Sequence, residues 1–110
     1  MSRYRRTTTA ARLIATVLAM LPSGSELLHA HEREWASATF SGARHSLDLR
    51  IPLAAPDSGA PSVLAALPDH EFDLVGEIVA DCVVSLGRRE TGVEGCWLLC
   101  RIELLTIAED

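Results

Sequence analysis

His29, His31, Cys82, Cys96 and Cys100, with a few paired acids, are the side chains in this sequence whose types and spacing suit chemistry. His29 and His31 lie two apart, so on an extended strand both imidazoles turn to one face. His-x-His is a metal-ligand spacing, but a site needs further donors and none follows close by in sequence. A polar strand start accounts for the pair more simply. The three cysteines allow at most one disulfide and leave one thiol over. No Cys-x-x-Cys occurs, so neither a zinc knuckle nor thioredoxin-type exchange is supported. Cysteines on an apolar strand are more often small core residues than nucleophiles.

The acid pairs Glu32 with Glu34 and Glu71 with Asp73 have the residue types for general acid–base work. Almost any two acids on a strand share that property, and a solvated sheet face explains them. Ser46, His45 and Asp48 contain the letters of a hydrolytic triad. Neighbours on one strand point to opposite faces, however, and no Gly-x-Ser-x-Gly elbow is present. The sequence has no Gly-x-Gly-x-x-Gly, no Walker loop and no His-Glu-x-x-His. Aromatic residues make up 5%, too few for a base-stacking platform. No cofactor is implied, and the expectation is a protein without enzymatic activity.

The elements that would position these residues follow from periodicity. A chain of 110 residues, 48% of them apolar, fits a single domain with one modest core. All ten basic residues are arginine, and Lys, Asn and Gln are absent. With abundant alanine, this points to a GC-rich coding bias and a bacterial source. Residues 1–25 carry four arginines and no acid, a net +4. The rest carries six arginines against fifteen acids, a net −9, giving −5 in total. An acidic body repels phosphate backbones, which argues against a nucleic-acid partner.

Within residues 1–25, Leu13, Ile14, Val17, Leu18 and Leu21 recur at helical spacing before Pro22 and Gly24. The charged start and apolar centre also resemble a signal peptide, with Ser23-Gly-Ser25 as small residues at a cleavage spacing. An export tag does not require an apolar stripe, so a structural helix and a cytoplasmic location are the expectation; the alternative is an exported protein. The nine residues from Leu13 to Leu21 are too few to cross a bilayer.

Leu47, Leu49, Ile51 and Leu53 alternate with Ser46, Asp48 and Arg50, a half-buried strand. A type II′ turn at Gly42-Ala43 would set Phe40 opposite His45, Ala36 opposite Leu49 and Trp35 opposite Arg50, with a bulge near Glu32–Glu34. Ser62–Leu67 reads as a short helix between Pro61 and Pro68. The bulk of the aliphatic residues follows in a long hairpin, Phe72–Leu86 and Cys96–Ile107. Centring its turn on Thr91 pairs Asp81 with Arg101 and Cys82 with Cys100.

One face of that hairpin carries Phe72, Leu74, Ile78, Cys82, Val84, Leu98, Cys100, Ile102 and Leu104. The other mixes charges with Val79, Val83, Trp97 and Leu99 and is too apolar for a wet surface. The sequence therefore implies an α+β domain of αββαββ order. It has a four-stranded antiparallel sheet from two hairpins, an N-terminal helix and a short middle helix. Its expected role is protein–protein interaction, by self-association or with another protein, through Val79, Val83, Trp97 and Leu99. The alternative is a small-ligand or metal-binding protein using a pocket between sheet and helices, with His29 and His31 as the ligands.

Overall fold

The computed structural model describes residues 2–109, with side chains from Thr9 onward. Helix α1 (Ser2–Met20) precedes strands β1 (Glu26–Ala36) and β2 (Ser41–Leu53). Helix α2 (Val63–Ala66) runs into a 3-10 turn at Leu67–Asp69, then strands β3 (Glu77–Gly92) and β4 (Gly95–Ala108) complete the chain. The four strands form one antiparallel sheet in the order β1-β2-β4-β3. This is the expected α+β fold in the expected order. No helix among the described residues is long and apolar enough to cross a membrane.

The apolar stripe of α1 does what its spacing requires. Leu13 and Val17 are fully enclosed and Leu21 nearly so, while Ile14 and Leu18 flank them. Pro22 ends the helix, and Ser25 Oγ donates to its carbonyl at 2.7 Å. These residues join Leu64 and Leu67 in one cluster with Leu47, Leu49, Ile51, Leu98, Cys100, Ile102 and Leu104. Both helices thus pack on the same side of the sheet, its inner face. β1 and β3 are left as free edges.

The first hairpin turns elsewhere than expected. Its loop is Ser37–Phe40, and β1 pairs as Trp35 with Gly42, Glu32 with His45 and His29 with Asp48. Serine chemistry explains the shift. Ser37 N–H donates to the Phe40 carbonyl at 2.7 Å, while its hydroxyl accepts the N–H of Phe40 at 3.1 Å. Gly42 lies inside β2, where an added Cβ would collide with the Thr106 carbonyl. That glycine marks a close approach of β4, not a turn. The bulge falls between Leu27 and His29 rather than at Glu32–Glu34.

The long hairpin is also re-registered. Gly76 adopts φ +80°, turning the chain after Leu74-Val75, so the strand starts at Glu77 rather than Phe72. The loop is Val93-Glu94, followed by Gly95 at φ +145°. This slides the arms past each other: Asp81 meets Leu105, Cys82 meets Leu104, Ser85 meets Arg101 and Leu86 meets Cys100. The expected pairs Asp81–Arg101 and Cys82–Cys100 do not form, and all three cysteines are free thiols. One irregularity at Ala80 and another at Gly87-Arg88 each place an extra residue on β3. The first reverses the strand's phase, so Glu77 and Val79 face inward and Ile78 outward.

Candidate functional site

The sheet's outer face is the surface that the fold leaves open. Residues directly opposite in an antiparallel sheet share a face, so the pairings place His29, Asp48, Arg101 and Ser85 in one row across all four strands. Asp48 and Arg101 lock together: Arg101 Nε donates to Oδ1 at 2.7 Å and Nη2 to Oδ2 at 3.3 Å. That hydrogen bond, ahead of the opposing effect of burial, holds the Asp48 carboxyl below its ordinary range. The same bond pushes the Arg101 guanidinium up. A groove of about 560 Å³ runs over this row, lined by His29, Asp48, Ser85, Leu86, Leu99 and Arg101.

Neighbouring rows carry the residues singled out by sequence. The Arg50 guanidinium lies 3.8 Å from the Trp97 ring centroid, not over Trp35 as the expected register had it. Arg50 Nη1 also approaches Glu26 Oε2 at 3.8 Å. Leu99 and Trp97 are half-buried on the outer face, and Val83 is 46% exposed there. Val79 is a correction: the bulge at Ala80 turns it inward, against the core. Ile78, assigned to the core from sequence, takes an outward position and is 50% exposed. The bulge has no composition signal, because Ala80 is neither glycine nor proline.

His29 and His31 do share the outer face of β1. Among the described residues no three His, Cys, Asp or Glu side chains gather to hold a metal. Cys82 and Cys100 sit in the core, and burial pushes both thiols up to about 11. They are protonated at neutral pH and unsuited to nucleophilic attack. His45, Ser46 and Asp48 do not converge: His45 faces inward and its Nε2 lies 3.3 Å from Thr106 Oγ1, which donates to the Ala43 carbonyl at 3.3 Å. Glu77 is the unanticipated residue of the inner face. It is 4% exposed, and neither carboxylate oxygen has a hydrogen-bond partner.

Most of the exposed apolar bulk lies on or beside one hairpin, with Leu28 and Phe40 exposed on the other. Ile78, Val83 and Leu86 on β3 are 46–56% exposed, Val75 just before it is 76% exposed, and Val93 in its loop is fully exposed. A second groove, about 500 Å³, lies at one end of the sheet between the Ser37–Phe40 loop, Ile78 and Ile107. No protein-family model matches this chain, and no curated protein or solved structure resembles it at a significant level.

Proposed function

We propose that this chain is a small, non-enzymatic protein-interaction module that self-associates through the outward surface of its C-terminal hairpin, β3–β4. The observation that carries this reading is the one-sided distribution of cover. α1, α2 and the 3-10 turn all contribute to the inner cluster. Val83, Leu99 and Trp97 remain on a face with no helix over it among the described residues, beside exposed Ile78. Apolar side chains left on an uncovered sheet face in this way are characteristic of a partner interface. The Asp48–Arg101 pair and the protonated core thiols favour binding over catalysis, since neither provides a poised acid, base or nucleophile. A cytoplasmic bacterial setting fits the role of α1, whose Leu13, Val17 and Leu21 support keeping this segment in the folded domain.

Sedimentation velocity over a wide concentration range tests the reading. The expected result is a concentration-dependent dimer that Val83→Glu with Leu99→Glu abolishes while circular dichroism is unchanged. A monomer at every concentration overturns it.

A further inference from the structure

The hairpin exposes both a face and an edge, and the edge has its own signature. Cys82 N–H donates to its own neighbour, Asp81 Oδ1, at 3.0 Å. That amide therefore points away from β4. Alternation along an antiparallel strand then turns the backbone groups of Val84 and Leu86 the same way, toward open solvent. The stretch Asp81–Leu86 is the regular segment between the two irregularities of β3, so these groups form an uninterrupted pairing edge.

The two free edges differ in chemistry. β1 is broken by its bulge at Leu28 and reads Glu26, His29, His31, Glu32, Arg33, Glu34, a run of charged and polar side chains that discourages pairing. β3 offers Cys82, Val83, Val84, Ser85 and Leu86 without Pro or a like-charge run, and Leu86 is 56% exposed. Its ends carry opposite charge: Asp81 at one end and, at the other, Arg88 with Arg89, the Arg88 side chain being 77% exposed and 3.5 Å from Glu90. Antiparallel pairing of this strand with itself sets the acidic end of each copy against the basic end of the other, at two symmetric places.

We propose that two copies of this chain join along β3, antiparallel about Val84, merging two four-stranded sheets into one continuous sheet. Val84 meets Val84, Cys82 meets Leu86, and Asp81 of each copy lies beside the segment bearing Arg88 of the other. Asp81 then has two roles. In the isolated chain it satisfies the Cys82 amide, and in the pair it supplies charge complementarity. This inference rests on the self-association reading and specifies which part of the hairpin surface the second copy takes.

Amide exchange of the labelled full chain by NMR, above and below the dissociation concentration, tests it. The Val84 and Leu86 amides are expected to exchange slowly in the dimer and at least roughly tenfold faster in the monomer. A dimer with rapidly exchanging Val84 and Leu86 overturns edge pairing and leaves face packing of the hairpin intact. A monomer throughout overturns both. As an independent arm, Asp81→Arg and Arg88→Asp each weaken association by about tenfold or more, because each reversal acts twice. The double variant restores it. Association unchanged by either single reversal overturns the pairing scheme.

Discussion

Replacing Leu13 by alanine tests whether α1 is a structural member of the domain or a segment the domain can do without. Leu13 has no exposed surface and packs within the cluster that includes Leu47, Leu49, Ile51 and Ile102. Transfer of a side chain this size out of water is worth about 1.5–3 kcal/mol. The unfilled space left by alanine brings the cost to about 2–5 kcal/mol. Total stability for a domain is on the order of 5–15 kcal/mol, so this one change removes a substantial fraction. A loss near 3 kcal/mol corresponds to a fall in Tm of roughly 10–25 °C at this chain length.

Urea titration followed by far-UV circular dichroism gives the free energy directly. Leu28→Ala, at the β1 bulge and 52% exposed, is the control and should stay within about 0.5 kcal/mol of the parent. If Leu13→Ala also stays within about 0.5 kcal/mol, α1 contributes nothing to the core. The first 25 residues would then behave as a detachable leader, and the sheet's inner face would need another cover. A full effect at Leu13 with none at Leu28 means that removing α1 strips the inner face of its main apolar partner.

Gly42→Ala should destabilise the sheet by at least about 2 kcal/mol, as its Cβ meets the Thr106 carbonyl and must push β2 from β4; thermal melting reads the loss. Glu77→Gln should raise stability by about 1 kcal/mol, because a buried carboxylate without a hydrogen-bond partner is costly to bury charged; a lower urea midpoint for the variant would refute this. Iodoacetamide at neutral pH should modify Cys96 well before Cys82 or Cys100, whose thiols burial holds up at about 11; peptide mass mapping reads the order. Those two thiols stay protonated in the folded chain where the unfolded chain ionises, so their stabilising contribution is complete below pH 9.0 and declines as the pH rises toward about 11. The alkaline loss of stability should be shallower in Cys82→Ala with Cys100→Ala. For Asp48 the sign is opposite: its contribution is present above the ordinary carboxylate range and disappears as the pH falls through its lowered value, so Asp48→Asn should differ from the parent at neutral pH and converge with it in acid.

Periodicity made the two-layer architecture legible. Alternation from Leu47 to Leu53 and from Leu98 to Leu104 identifies the inner-facing strand positions, and the Leu13–Val17–Leu21 stripe identifies the helix that covers them. Register was not legible, because it depends on which small residue does which job. Gly42 looks like a turn residue, yet its use is to let Thr106 approach. Ser37 looks like an ordinary polar strand residue, yet its hydroxyl organises the actual turn. Gly76 sits inside an apolar run and ends it by taking a left-handed conformation. The Asp48–Arg101 pair was beyond reach for another reason. Its partners are 53 residues apart and meet only because β4 inserts beside β2. No local pattern encodes that adjacency.

The division of polarity on the outer face follows strand order, and this links the fold to the proposed role. On β2 the outward positions are Arg44, Ser46, Asp48 and Arg50, paired with Arg33, His31, His29 and Glu26 on β1. That half is a solvated surface by composition. Across the same face, β4 presents Trp97, Leu99, Leu105 and Ile107 around Arg101 and Glu103, and β3 presents Ile78 and Val83 with Asp81 and Ser85. A sheet covered by helices on one side and water on the other needs polar residues over the whole wet side. Here the requirement is met on one hairpin and relaxed on the other. The chain's helices are already committed to the inner face, so they do not compensate. The relaxed half ends at the β3 edge, whose Val84 and Leu86 backbone groups turn toward solvent. The open edge thus borders the apolar outer surface of the same hairpin, and a second copy bound there would extend the sheet and cover the edge.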